Sequence, residues 1–160
     1  MPAATASPFA ATLVLDTSGI VALYDASAEA HIGAVEAVRA ASMRLVPAAI
    51  LAEIDYMLGV RLSPNAALDF LRAVESGFFM IEPFTRDDAG YCRALIEKYA
   101  QLQLGLADAA VMAVSERHRA ANVLSLDRRH FEVVRPTAFT AFRLWPSVAP
   151  KPAAKSRRRK

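Results

Sequence analysis

Four carboxylates of this 160-residue chain stand in segments that are otherwise apolar, where a charged group is costly. Asp16 and Asp127 each follow a short apolar run that is typical of a buried β-strand. Glu53 and Asp108 each lie in a helical pattern, among apolar residues that are predicted to share their face of the helix. A buried carboxylate must be paired with a cation, protonated, or bound to a metal ion.

This set of acids favours the binding of a hard divalent cation. Oxygen ligands from separate segments, with no cysteine or histidine ligand pattern nearby, suit Mg²⁺ or Mn²⁺. No lysine or arginine within these segments is placed to neutralise the acids, although Arg128, directly after Asp127, could pair with one of them from outside. A metal held by acids can activate water and stabilise negative charge on a leaving oxygen. The residues by themselves therefore predict metal-dependent phosphoryl or phosphodiester chemistry, and they leave the substrate open.

Three of the four acids also have a simpler explanation when each is taken alone. Aspartate often begins turns and caps helices, which would account for Asp16 or Asp127 separately. Asp108, near the start of a predicted helix, would be stabilised there by the helix dipole. Two acids at the carboxyl ends of strands in one parallel sheet, however, lie at the edge where such sheets bind ligands. A shared site is the interpretation that this pairing favours.

The elements that must position these acids alternate along the chain. Apolar, β-rich runs are followed by longer helical patterns, which predicts right-handed βαβ crossovers and a mainly parallel sheet. The predicted strands are 12–15, 43–46, 78–81, 122–126 and 131–134. The predicted helices are 18–24, 28–41, 47–58, 64–76, 85–103 and 106–119. Ser63 is the predicted cap of the fourth helix, and Thr85 with Asp88 resembles a capping box at the start of the fifth. The fold class is therefore α/β, a single α/β/α sandwich with helices covering both faces of the sheet.

The predicted domain covers residues 12–146, between a flexible segment at 1–11 and a basic tail at 147–160. The tail carries six of the 19 basic residues and no acidic one. The rest of the chain has 13 basic and 16 acidic residues, so it is net acidic although the whole chain is net basic. A tail rich in proline, alanine and basic residues is predicted to be disordered. It is either an arm that attracts RNA or a terminus without a specific role.

Composition and missing motifs exclude several classes of protein. A chain that is 54% hydrophobic and 22% charged is not a disordered protein. Its single cysteine excludes a disulfide framework and a cysteine-based zinc site. Neither a secretion signal nor an apolar run long enough for a membrane helix is visible, so a cytoplasmic protein is expected. The glycine-rich motifs GxGxxG and GxxxxGK[ST] are absent from the sequence, so dinucleotide and P-loop nucleotide binding are not supported.

The four acidic segments together resemble the successive motifs of PIN-domain ribonucleases, and most closely the VapC-type toxins of bacterial type II toxin–antitoxin modules. The resemblance extends over about residues 12–146 and includes the ending Val133–Pro136 (VVRP) and Phe142–Pro146 (FRLWP). Its motifs are Leu13–Ser18 (LVLDTS), Ala52–Ile54 (AEI), Leu104–Ala109 (LGLADA) and Leu124–Phe131 (LSLDRRHF). One such motif is weak evidence, whereas four in the expected order are specific.

The resemblance implies a site in which the four acids hold Mg²⁺ or Mn²⁺ and serve catalysis. These residues are Asp16, Glu53, Asp108 and Asp127. Asp108 or Glu53 is implied as a proton acceptor, without a choice between them. His130, soon after the last acid, is expected to be structural and not a general acid or base.

Further residues of the motifs are expected to support this site. Ser125 occupies a position where the family more usually has threonine, and there it would orient the last acid or a water, or have no role. Thr17 and Ser18 are expected to support the pocket through hydroxyl or backbone contacts. Arg128 and Arg129 are candidate phosphate contacts, with a solvated helix face as the equal alternative.

The activity implied is hydrolysis of RNA phosphodiester bonds by water, with inhibition by a VapB-type antitoxin and assembly as a homodimer. Two other functions are compatible with the same fold. One is a housekeeping PIN-domain nuclease that processes RNA without an antitoxin. The other is a non-catalytic module that binds RNA or protein, and the presence of all four acids argues against it.

Overall fold

A computed structural model of the protein describes residues 12–147. The predicted flexible segment, 1–11, and the predicted basic tail except for residue 147 lie outside the described residues. The domain boundaries at both ends therefore stay predictions.

A five-stranded sheet in the order β3-β2-β1-β4-β5 forms the centre of the fold. All four pairs of neighbouring strands are parallel. The strands are β1 Thr12–Leu15, β2 Met43–Pro47, β3 Met80–Glu82, β4 Asn122–Leu124 and β5 Arg143–Trp145. The strand order places β1 in the middle, with β4 beside it, although the two are more than 100 residues apart in the chain. This confirms the predicted α/β class and its parallel sheet.

Within residues 12–147, seven α-helices flank the sheet. They are α1 Thr17–Tyr24, α2 His31–Ala40, α3 Leu51–Arg61, α4 Pro64–Glu75, α5 Arg86–Lys98, α6 Leu106–His118 and α7 Arg128–Val133. Helix α1 packs against α2, α3 and β4, while α6 packs against α5, β1 and β2. The helices α1, α3 and α6 therefore surround the carboxyl end of β1.

The apolar composition of the central elements explains their position. Parallel strands covered on both faces are expected to be continuously apolar, and Leu13, Val14 and Leu15 of β1 are all buried. In α6 every residue from Ala109 to Ser115 is buried, which is typical of a helix packed on all sides. Within residues 12–147, no helix is both long and apolar enough to cross a membrane.

Two helix starts follow from their predicted caps. The Ser63 side chain accepts a hydrogen bond from the backbone N–H of Ala66, 3.2 Å away, at the start of α4. The Thr85 hydroxyl accepts from the backbone N–H of Asp88 at 3.1 Å, and the Asp88 carboxylate accepts from the Thr85 N–H at 2.8 Å. This reciprocal pair is a capping box and begins α5.

The predicted strand at 131–134 is wrong, because residues 131–133 form the end of α7 and residue 134 follows that helix. Asp127 begins this helix by accepting a hydrogen bond from the backbone N–H of Arg129 at 3.3 Å. Phe131 is buried against Phe142, with ring centroids 5.4 Å apart. The cap and this tertiary packing prevail over the β-propensity of the segment. The fifth strand is instead β5, which is too short to be recognised from periodicity.

Among the predicted helix boundaries, the largest differences from the structure are at the start of α3 and at the end of α5. Pro47 does not open a helix but ends β2, where it is paired with Glu82. A 3₁₀ turn, Ala48–Ile50, follows and sets the starting point of α3. The helix predicted to reach 103 ends at Lys98 and continues as a second 3₁₀ turn, Ala100–Leu102.

Candidate active site

The structure brings the four predicted acids to one cavity of about 720 Å³. Asp16 and Asp127 reach it from the loops after β1 and β4, Asp108 from the first turn of α6, and Glu53 from α3. The backbone N–H of Asp16 donates to the carbonyl of Leu124 at 3.0 Å, which fixes the end of β1 against β4. Because carboxyl ends of parallel strands share one edge of a sheet, two short apolar runs suffice to place two acids together.

Two serines hold the Asp16 carboxylate in place. The hydroxyls of Ser18 and Ser125 each donate to the same oxygen, Oδ2 of Asp16, at 2.8 Å. Ser125 Oγ also accepts from the backbone N–H of Asp127 at 3.2 Å, and Ser18 Oγ accepts from that of Leu126 at 3.0 Å. The serines thus connect the end of β1 to the loop after β4. Ser125 lies beneath the cavity, while Ser18 lines it.

Thr17, the third residue predicted to support the site, is buried and also lines the cavity. Its hydroxyl oxygen has no hydrogen-bond partner among residues 12–147. The neighbouring serines, in contrast, are fully engaged with Asp16. Of the three predicted supporting residues, two therefore act directly on an acid.

Burial raises the pKa of Asp16 above its usual range, although the hydrogen bonds from Ser125 and Ser18 oppose this effect. The negative charge of Asp108 raises the pKa of Asp16 further. Burial also raises the pKa of Asp108. The electrostatic interaction with His130 lowers this pKa, and the negative charge of Asp127 raises it. Without a cation, the charged forms of Asp16 and Asp108 are therefore disfavoured by burial and by a neighbouring carboxylate.

His130 contacts Asp108 from the buried side of the site. Its ring is 3% exposed, and its Nδ1 lies 2.9 Å from Oδ2 of Asp108. Its Nε2 lies 3.0 Å from the carbonyl oxygen of Leu102 and 3.2 Å from the guanidinium of Arg129. The ring is thus fixed between α6, α7 and the 3₁₀ turn before α6, as expected for a structural histidine.

Glu53 lies at the exposed rim of the cavity, so the prediction that it is buried with the core-facing side of its helix was wrong. The buried face of this segment is Ile50, Ile54 and Leu58, whereas Tyr56, one of the apolar residues expected to share the face of Glu53, is 64% exposed. The apolar stripe of Ile50, Ile54 and Leu58, spaced by four residues, faces the core and sets the orientation of the helix, and Glu53 lies outside this stripe.

Two charged residues that line the cavity were not predicted, Asp25 and Arg61. Asp25 follows the last residue of α1, and Arg61 is the last residue of α3. For Arg61 a signal existed, because Glu53, Met57 and Arg61 are spaced by four residues and all three line the cavity. For Asp25 the sequence gives no signal, since a polar residue is ordinary at a helix end.

Arg128 and Arg129, the predicted phosphate contacts, do not line the cavity. Arg128 Nε lies 3.0 Å from the Glu132 carboxylate, and its Nη1 lies 3.5 Å from the carbonyl of Pro146. Arg129 extends to His130. Their contact with phosphate stays a prediction.

The donor set fits a divalent cation. One ligand atom from each of Asp108, Asp127 and His130 lies within 4.8 Å of the others, and Asp16 and Glu53 line the same cavity. In the described part of the chain, no lysine or arginine forms an ion pair with any of the four acids. The pKa values of Asp16 and Asp108 are raised, and no lysine or arginine pairs with the acids, so a hard divalent ion is what would complete this set of ligands.

The raised pKa values predict an unusual pH dependence for the metal-free protein. An acid whose pKa is higher in the folded state stabilises the fold below its unfolded pKa, and this stability is lost as the pH rises through the folded value. Because a cation binds the deprotonated acids, we expect the rise in Tm caused by Mn²⁺ to be larger at pH 7 than at pH 5. Thermal melts with and without Mn²⁺ across this range measure it. A metal-induced shift that is independent of pH would contradict it.

Ser125→Ala is expected to lower the rate of the RNA cleavage that the resemblance implies about tenfold at neutral pH. This is the lower end of the effect of removing a residue that orients a metal ligand. Loss of its hydrogen bond raises the pKa of Asp16 further, so the acidic limb of the pH–rate profile should move to higher pH. Ser125→Thr keeps the hydroxyl and is expected to restore both the rate and the profile. An alanine variant with an unchanged rate and profile would exclude this role.

The sequence matches a known protein family and a known relative. A family model described as PIN domain matches residues 13–136. Ribonuclease VapC26 of Mycobacterium tuberculosis is 30% identical over 135 residues, which cover 84% of this chain and 100% of the relative.

Solved structures share the fold at lower sequence identity. VapC20 of M. tuberculosis, a sarcin-ricin loop cleaving toxin, superposes with a TM-score of 0.66 at 21% identity, over 72% of this chain and 89% of its own. A toxin–antitoxin complex from Klebsiella pneumoniae gives a TM-score of 0.59 at 19% identity, over 80% and 98%. The family model and the fully covered relative show that this chain belongs to the PIN-domain family and, within it, to the VapC ribonucleases.

Proposed function

We propose that this VapC-type ribonuclease is the toxin of a type II toxin–antitoxin pair and hydrolyses RNA phosphodiester bonds with Mg²⁺ or Mn²⁺. The observation that carries the proposal is the convergence of four acids from separate segments on one cavity, without an arginine or lysine paired to them in the part of the chain described. Asp16, Asp108 and Asp127 would hold the ion, with Glu53 at the rim.

The residues around these acids prepare them for catalysis before substrate binds. When bound, the ion would supply a Lewis acid that activates water and stabilises charge on the leaving oxygen. Ser18 and Ser125 fix Asp16 through two hydrogen bonds to one oxygen, and His130 fixes Asp108. Such preorganised charges need no rearrangement during the reaction, which is the main source of electrostatic catalysis.

A VapB-type antitoxin is the proposed inhibitory partner, and a homodimer in the cytoplasm is the proposed state of the free protein. The toxin–antitoxin complex among the structural neighbours supports a partner of this kind. Expression of the chain alone should arrest growth, and co-expression with the product of an adjacent small gene should relieve the arrest. Arrest that no neighbouring product relieves would favour the housekeeping nuclease. Sedimentation of the purified protein tests the dimer.

Cleavage of RNA by purified, antitoxin-free protein tests the catalytic part of the proposal. We expect discrete products with Mg²⁺ or Mn²⁺, and none with EDTA or with Asp108→Asn. Circular dichroism must first show that the variant is folded. Cleavage that survives both EDTA and the substitution would overturn the proposal. A folded protein that binds Mn²⁺ but cleaves no transfer, ribosomal or messenger RNA would favour a binding module.

A further inference from the structure

The charge of the cavity creates a problem for binding RNA. Five acids line it, namely Asp16, Asp25, Glu53, Asp108 and Asp127. Among the described residues that line it, Arg61 is the only cation. Every RNA phosphate carries a negative charge, and one divalent ion cannot neutralise five carboxylates. A substrate that approaches this cavity therefore needs a cationic contact from the protein, beyond the ion itself.

The guanidinium of Arg61 is free to make that contact. The residue is exposed, and within residues 12–147 it forms no hydrogen bond or ion pair, although Asp25 and Glu53 line the same cavity. Several other arginines are already paired: Arg72 with Asp69, and Arg128 with Glu132. A guanidinium left unpaired beside carboxylates remains available for an anionic ligand.

The position of Arg61 on α3 indicates which phosphate of an RNA strand its side chain can reach. Glu53 and Arg61 lie two turns apart on one helix face, a separation of about 12 Å along the axis. With Glu53 beside the other acids, Arg61 stands too far along the helix to share the scissile phosphate with them. It is placed for a phosphate farther along the same strand.

We propose that Arg61 binds a backbone phosphate flanking the scissile bond and so positions the RNA strand along α3. This inference rests on the proposed ribonuclease function. Arginine suits the task because its planar guanidinium donates two parallel hydrogen bonds to a phosphate. Arg61 is a substrate-binding residue in this proposal, and the acids remain the catalytic ones.

Arg61→Gln and Arg61→Lys, compared with Arg72→Gln on α4 as a matched surface control, test the proposal in the full-length protein. For Arg61→Gln we expect KM for RNA to rise about tenfold, with kcat changed less than about twofold. The slope of log(kcat/KM) against log[salt] should become shallower by about 0.7, the value for one phosphate of a single strand. Arg61→Lys should retain much of the affinity, and Arg72→Gln should match the wild type.

Two further measurements separate this inference from the proposed function. An unchanged Tm shift with Mn²⁺ in Arg61→Gln shows that the acids are intact, and binding of a labelled single-stranded RNA in EDTA reports the contact without cleavage. If the wild type cleaves RNA and Arg61→Gln does so with the same KM and salt slope, the inference is wrong and the function stands. If the wild type does not cleave but Arg61→Gln binds RNA about tenfold more weakly, the function fails and the contact stands. If Arg61→Gln weakens only an antitoxin complex, Arg61 is a partner contact and the inference is overturned.

Discussion

Asp16→Asn is expected to lower the RNA cleavage rate by about 100-fold or more and, at the same time, to raise the Tm of the metal-free protein at pH 7. The first effect follows because a charged ligand of the cation is lost, and a metal ion contributes several kcal/mol of transition-state stabilisation. The second follows because Asp16 is only 5% exposed and its burial opposes ionisation. An amide oxygen still accepts the hydrogen bonds from Ser18 and Ser125 but carries no charge.

Cleavage assays and thermal melts with and without Mn²⁺ separate these two effects. The rise in Tm caused by Mn²⁺ should shrink or disappear in Asp16→Asn. Asp55→Asn is the matched control, because Asp55 is an exposed acid of α3 that does not line the cavity. It should leave the rate and both melting curves unchanged. An Asp16→Asn variant that melts below the wild type without metal would show that the charged form of Asp16 stabilises the metal-free fold.

Gly19→Ala is expected to destabilise the protein by about 1–3 kcal/mol and to reduce cleavage in the protein that remains folded. A Cβ at Gly19 would lie 2.4 Å from the carbonyl oxygen of Leu124 and 2.6 Å from its side chain. That carbonyl accepts the backbone hydrogen bond of Asp16, and Ser125 is the next residue. Relief of the clash must therefore move α1 away from β4 and disturb the contacts that hold Asp16.

Gly59→Ala, on the neighbouring helix α3, is expected to have the opposite effect on stability. A Cβ at Gly59 in α3 meets nothing within 4 Å. Alanine is more favourable than glycine in a helix by up to about 1 kcal/mol, so this variant is expected to be slightly stabilised and fully active. Urea unfolding and the RNA cleavage rate measure both variants. Equal stability of the two variants would contradict the close approach of α1 to β4.

Local patterns in the sequence were enough for the elements that carry two of the acids. The apolar runs of β1 and β4 indicated buried parallel strands, and Asp16 and Asp127 follow them closely. The caps at Ser63 and Thr85 marked two helix starts, because a cap is formed by residues three positions apart. Such features depend on neighbours in the chain, so the sequence alone contains them.

Local patterns failed where distant contacts decide the structure. Phe131 lies in a segment with strand-like composition, yet it is helical and its ring packs against the distant Phe142. The three residues of β5 carry too little pattern, and their pairing with β4 defines them as a strand.

The sequence by itself determined the class of fold, the identity of the four acids and, through the order of their motifs, the family. Only the tertiary structure decided the environment of each acid. Packing of Ile54 and Leu58 of α3 in the core leaves Glu53 at the rim and places Arg61 at the cavity. Pairing of β1 with β4 brings Ser125 to Asp16 across 109 positions of the chain. The physical reason is that residue types and spacing fix the local conformation, whereas burial, charge and hydrogen bonding depend on which distant segments pack together.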